Sequence, residues 1–156
     1  MTALIATGGN HVDDLQERIR RLEDITAIHQ LFVDYGAYLD AKDFDSYAQL
    51  FAEDAEVLLG PMGRAKGRED IKAMMQKVGG AGGDSFHLIG SPQVTIDGDT
   101  ATSRVQWTVI YRDPDGSPKV GMIGHHKDEL VRRDGRWYFL RRAGFVDIPS
   151  KVVTRG

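Results

Sequence analysis

The stretch Gln93-Val94-Thr95-Ile96-Asp97-Gly98-Asp99-Thr100-Ala101-Thr102-Ser103-Arg104-Val105-Gln106-Trp107-Thr108-Val109-Ile110-Tyr111-Arg112 decides the fold. Two runs of alternating residues meet at Asp97-Gly98-Asp99, a tight-turn sequence that folds one strand back on the other. Along the longer run, Ala101, Ser103, Val105, Trp107, Val109 and Tyr111 share one face, and Thr102, Arg104, Gln106, Thr108 and Arg112 share the other, because successive strand side chains point to opposite sides. The first face is apolar and aromatic. It fills a core or lines a pocket, and periodicity alone does not separate the two.

Working outward, the period of two continues to the C-terminal end. Pro114-Asp115-Gly116-Ser117-Pro118 and Asp134-Gly135 are turns that delimit strands at Lys119–Arg133 and Arg136–Asp147. Upstream, a short strand at Ser85–Ile89 follows the glycine loop Gly79–Gly83. Consecutive hairpins make an antiparallel meander. Toward the N-terminus the period changes to three and four. Leu15, Ile19, Leu22, Ile25, Ile28, Leu31 or Phe32, Tyr35 and Leu39 predict a long helix capped by Asp13 or Asp14, with a break near Glu23–Thr26. Asp43 caps a second helix bearing Phe44, Tyr47, Leu50 and Phe51. Glu56–Leu59 reads as a strand closed by the turn Gly60-Pro61-Met62-Gly63, and a third helix after Gly67 shows Ile71, Met74, Met75 and Val78 on one face. The expected class is α+β, with three N-terminal helices packed on one side of a strongly curved, mixed but mainly antiparallel sheet. Residues 1–11 and 151–156 read as flexible tails around a single domain at 12–150.

Composition narrows the function. Twenty basic and 23 acidic residues give a net charge of −3, a balance unsuited to nucleic acid or to a polybasic membrane contact. The absence of cysteine excludes disulfides, thiolate catalysis and zinc–thiolate sites. No apolar run approaches the roughly 20 residues of a membrane span, and Met1–His11 has neither a basic nor an apolar leader segment. The expectation is a soluble, cytoplasmic, single-domain protein.

Few residues carry candidate chemistry. Asp40 stands at the end of the first helical stretch, next to the buried stripe of Tyr35 and Leu39. His87 sits inside a short apolar strand. Neither means much singly, but a carboxylate paired with an imidazole fixes its tautomer and makes a general base. In His125-His126-Lys127-Asp128, His126 and Asp128 share one strand face and His125 takes the other. A metal would need His87 as a third converging ligand, and none is expected. Arg141 and Arg142 diverge likewise, so one of them can enter a pocket and stabilise an anion. The glycine loop lacks the Lys-Ser/Thr of a phosphate cradle and reads as a connection or a lid. Trp107, Val109, Tyr111, Phe51, Leu58 and Met74 or Met75 are the expected lining.

The order Tyr35…Leu39-Asp40-Ala41-Lys42-Asp43, Leu50-Phe51-Ala52-Glu53-Asp54, Gly67-Arg68-Glu69-Asp70-Ile71, His87, Val94…Ala101 and Asp128…Trp137 resembles the SnoaL-like branch of the nuclear transport factor 2-like superfamily, the cystatin-like α+β cone, from Leu15 to Ile148. Within it the chain looks most similar to the group of bile-acid 7α-dehydratase, scytalone dehydratase and hexachlorocyclohexane dehydrochlorinase. That resemblance places Asp40 and His87 on a catalytic Asp–His dyad, Tyr35 on the tyrosine of the bile-acid enzyme's motif, and Arg142, five residues after Trp137, on an arginine of the dehydrochlorinase. His126 replaces an aromatic pocket residue of that enzyme. Asp147 stands where the bile-acid enzyme carries arginine, so its substrate is not transferred.

The resemblance implies a cofactor-free lyase of the dehydratase or elimination type acting on a ring-bearing substrate. An isomerase or cyclase using the same dyad, and a non-catalytic binding module, are the alternatives on this fold. It also implies a homo-oligomer, trimer or dimer, through the open face of the sheet.

Overall fold

The computed structural model describes residues 9–80 and 84–149. Helix α1 (Gly9–Ala41) and the short α2 (Phe44–Ala48) lead into β1 (Phe51–Leu58), a 3-10 turn (Gly60–Met62), β2 (Arg64–Lys66) and α3 (Arg68–Gly80). Strands β3 (Ser85–Ile89), β4 (Gln93–Asp97), β5 (Thr100–Arg112), β6 (Pro118–Arg133) and β7 (Arg136–Ile148) complete the chain. They form one seven-stranded sheet in the order β2-β1-β7-β6-β5-β3, with β4 also paired to β5. All pairings are antiparallel except β1 with β7. The expected α+β class is the observed one.

Several local expectations are corrected. Helix α1 runs without a break through Glu23–Thr26 and begins at Gly9, inside the stretch read as a tail. Leu50 and Phe51 leave α2, which ends at Ala48, and Phe51 opens β1. The sheet is more than a meander, because β3 and β4 share one edge of β5 and β1 closes on β7 in parallel. Gly79 and Gly80 finish α3, and residues 81–83 of the lid expectation lie outside the described residues, as do 1–8 and 150–156.

The helices cover one face of the sheet. Ile28, Leu31, Phe32, Tyr35 and Leu39 of α1 are buried together with Tyr47, Phe51 and Phe139. Phe32 meets Phe139 edge-on at 5.2 Å, and Phe51 lies 5.4 Å from Phe139. Docking of α1 begins at Asp24, whose buried carboxylate accepts from Trp137 Nε1 at 2.8 Å and from Arg132 Nη1 at 2.8 and 3.0 Å. Ahead of Asp24 the helix reaches the sheet through Arg20, whose Nη2 lies 3.9 Å from Asp99 Oδ1, while its apolar residues stay exposed. Leu15, Ile19 and Leu22, read as part of one helical stripe, are 54%, 46% and 64% exposed, and Val12 ahead of them is 57% exposed.

Candidate active site

Asp40 sits in the last turn of α1, which ends because Lys42 takes the left-handed conformation (φ 56°) and Asp43 N then bonds back to Tyr38 O at 2.9 Å. A carboxylate there opposes the helix dipole and needs compensation. His87 supplies it twice: its backbone N–H donates to Oδ1 and Oδ2 at 3.0 and 3.2 Å, and ring Nδ1 lies 2.7 Å from Oδ1. A carboxylate accepts, so Nδ1 carries the hydrogen and Nε2 keeps its lone pair. Gly36 permits this approach of helix to strand. A Cβ at that position would stand 3.1 Å from Ile89 Cγ1 and 3.6 Å from His87 O.

His87 opens onto a cavity of about 150 Å3 between the helices and the sheet. Tyr35, Trp107, Val109, Tyr111, Met75 and His126 line it too, so most of the expected pocket residues meet there. Strand register explains the assembly. His87 pairs with Val109, and Trp107 with Gly124; Val105 pairs with His126, which pairs with Gly144.

Three glycines were not expected to matter, yet they lie beneath residues that line the cavity. A Cβ on Gly121 would fall 2.0 Å from the Tyr111 ring, and one on Gly124 would fall 2.3 Å from Trp107 Cζ2. On Gly144 it would stand 2.8 Å from Leu59 Cδ2 and 3.1 Å from His126 Cδ2. The rings therefore lie flat on bare backbone. Glycine in a strand interior, where it weakens pairing, is the sequence signal for such a close approach.

Five expected residues lie elsewhere. Phe51 is fully buried in the aromatic core, 5.2 Å from Tyr47. Leu58 is 37% exposed on the opposite face of the sheet, and Leu59 takes its place at the cavity, a one-residue phase difference that moves a strand side chain across the sheet. Met74 packs against the core while Met75 reaches the cavity. Asp128 and Arg142 lie behind the lining. Arg142 Nε and Nη2 donate to Asp128 Oδ1 and Oδ2 at 2.7 and 3.1 Å, and Ser103 Oγ donates to Oδ2 at 2.9 Å. The guanidinium carbon lies 4.1 Å from the centre of the Tyr35 ring and 3.9 Å from that of Phe139. Burial works against its charge, but the Asp128 carboxylate outweighs that and holds Arg142 above its ordinary range. Arg142 thus supports Tyr35 from beneath.

His126 is buried, 5.7 Å edge-on to Tyr35 and 5.6 Å from Trp107. Burial, then the Arg142 charge, pushes its pKa well below the usual 6.5, so the imidazole stays neutral. His126 Nδ1, Trp107 Nε1 and Tyr47 Oη are buried without a hydrogen-bond partner among the described residues. His125 points to the other face, where Nδ1 bonds Asp147 at 2.8 Å and its ring stacks on Phe145 at 4.8 Å. No group of three or more His, Asp or Glu side chains able to hold a metal gathers among the described residues, and no described helix is long and apolar enough to cross a membrane.

Helices folded onto a mixed sheet around a walled cavity define an α+β cone domain whose chemistry is set by the cavity wall. The SnoaL-like domain pattern matches residues 20–143, and the chain belongs to that family. An uncharacterized protein of Mycobacterium tuberculosis is 31% identical over 126 residues, spanning 80% of this chain and 86% of that one. A nuclear transport factor 2-like protein with a cystatin-like fold from Novosphingobium aromaticivorans superposes with a TM-score of 0.82 at 27% identity, covering 94% of this chain and 96% of its own. A scytalone dehydratase candidate from the same organism gives 0.71 at 27% identity over 81% and 85% of the two chains. A hexachlorocyclohexane dehydrochlorinase gives 0.75 at 20% identity over 83% and 89%, a likeness of fold. The chain is therefore a SnoaL-like domain, and the solved proteins that share its fold include ones described as a dehydratase and a dehydrochlorinase.

Proposed function

We propose that this chain is a cofactor-independent lyase of the elimination type, acting on a small hydrophobic ring-bearing substrate. The observation that carries the reading is the 2.7 Å contact of His87 Nδ1 with Asp40 at the wall of an apolar cavity. His87 Nε2 removes a proton from carbon beside an activating group, and the electron pair forms the new double bond as the bond to the leaving group breaks. A departing hydroxyl takes a proton from Tyr35 and leaves as water, and Tyr35 recovers a proton from solvent. Asp40 stabilises the imidazolium until the proton returns to solvent. The aromatic wall excludes water, which keeps the imidazole an effective base.

The test is a screen of hydroxylated and halogenated ring compounds, with product mass recorded. A product lighter by water or by hydrogen halide supports elimination; unchanged mass makes the protein an isomerase. His87→Ala should lower turnover about 10²–10⁴-fold with cooperative unfolding retained. Full turnover in that variant removes the histidine from the mechanism. Self-association through the open sheet face belongs to the same reading and is supported by Phe86, Leu88, Val120 and Ile148, all more than half exposed.

A further inference from the structure

The part of α1 that projects ahead of Asp24 carries a pattern unrelated to the cavity. Every side chain from Val12 to Glu23 is exposed, yet Val12, Leu15, Ile19 and Leu22 recur at steps of three, four and three. That spacing is a heptad seam, with Val12 and Ile19 at the first position and Leu15 and Leu22 at the fourth. A free helical segment of this length is marginal in water, and its apolar edge is far larger than scattered surface residues explain.

Three features say what covers it. β-Branched residues at the first heptad position with leucine at the fourth favour two parallel strands. Arg18 and Glu23 occupy the flanking positions that face each other across such a pair, Arg18 of one helix against Glu23 of the other, five residues on. Gln16 takes the other flanking position, and the positions turned away from the seam, Asp13, Asp14, Glu17, Arg20 and Arg21, are all charged. At its base, Ile19 and Leu22 line a surface groove together with Thr26 and Ala27.

We infer that the projecting half of α1 is a dimerisation element that pairs in parallel, in register, with the same segment of a second copy of this chain. The surface is separate from the open sheet face and independent of the dyad.

Sedimentation and chemical cross-linking of the full chain test this. Leu15→Glu with Ile19→Glu should lower the association state to what the sheet face alone holds while leaving the thermal unfolding of the domain cooperative. Arg18→Glu should weaken association, and Arg18→Glu combined with Glu23→Arg should restore it. Because the chain has no cysteine, Leu15→Cys reports orientation directly: parallel in-register helices bring the two thiols together and give a disulfide-linked dimer under mild oxidation. A chain that is single at all concentrations overturns the inference. So does an association state left unchanged by Leu15→Glu with Ile19→Glu, which would assign association to the sheet face alone. Efficient dimer without Leu15→Cys cross-linking overturns the parallel register. None of these readouts uses turnover, so the lyase reading stands or falls apart from them.

Discussion

Asp128 and Arg142 lie directly opposite each other in the β6–β7 ladder and join through two hydrogen bonds, with both side chains fully enclosed. The pair sits under Tyr35, so an ion pair of the core also fixes a ring of the cavity wall.

Removing one partner should be costly. Asp128→Ala leaves a buried guanidinium uncompensated and is expected to lower stability by about 3–5 kcal/mol, read by denaturant unfolding. Replacing both partners with apolar residues, Asp128→Leu with Arg142→Met, should recover much of that. A single-variant loss below about 1 kcal/mol would show that the pair contributes little.

Asp40 serves a backbone and a ring at once, and its variants separate the two roles. Asp40→Asn still accepts from His87 N but no longer stabilises an imidazolium, so turnover should fall on the order of 10²–10⁴-fold with near-normal stability. Asp40→Ala should lose turnover similarly and in addition about 1–3 kcal/mol, because a backbone N–H is left unmatched. Equal activity of Asp40→Asn and the parent chain would separate the carboxylate from the chemistry.

His126 makes stability depend on pH. Its pKa is lowered in the folded protein relative to the usual 6.5, so the unfolded chain binds the additional proton. Its contribution is therefore fully present above about pH 6.5 and is lost as pH falls from there toward the folded value. The melting temperature should drop between pH 7.5 and 5, and His126→Phe should flatten that part of the profile. Arg142, His125 on the opposite face of the sheet, and His87 are the charges near enough to act on it, and each of them, when charged, works in the same direction.

The glycines beneath the lining should differ from one another. At Gly124 an added methyl meets the carbonyl oxygen of Phe145 at 2.1 Å as well as Trp107, and backbone has nowhere to go. Gly124→Ala should cost about 1–3 kcal/mol in thermal or denaturant unfolding. At Gly144 the neighbours are the ends of Leu59 and His126, which can shift. Gly144→Ala should change ligand affinity more than stability, measured as KM against melting temperature.

Alternation along Thr100–Arg112 and the turn residues were enough to place β3 to β7 almost to the residue, because a half-buried strand writes its two faces into sequence directly. Asp40 and His87 were legible only as a pair, read from residue type and strengthened by resemblance, since their meeting depends on Gly36 letting α1 close on β3. Leu58 and Leu59 show what local pattern leaves open. Two adjacent leucines fit either phase, and the parallel pairing of β1 with β7 chooses between them. The glycines beneath the lining escaped notice because their effect is the absence of a side chain, visible once Trp107 and Tyr111 lie over them. Arg142 was legible as an inward-facing residue, while its distance from the cavity follows from Asp128, its cross-strand neighbour.

The continuity of α1 through Glu23–Thr26 has a geometric consequence. Thirty-three residues at about 1.5 Å each make a rod of about 50 Å, with Asp40 at one end and the exposed residues Val12 and Leu15 near the other. The two ends share a fixed angular phase. Deleting one residue within Arg18–Glu23 would leave the domain intact and turn everything ahead of the deletion by about 100°. Deleting seven would shorten the rod by about 10 Å while keeping nearly the same face forward. The direction in which the free end points is thus set by residue count along a single helix, with the site's own carboxylate as its origin.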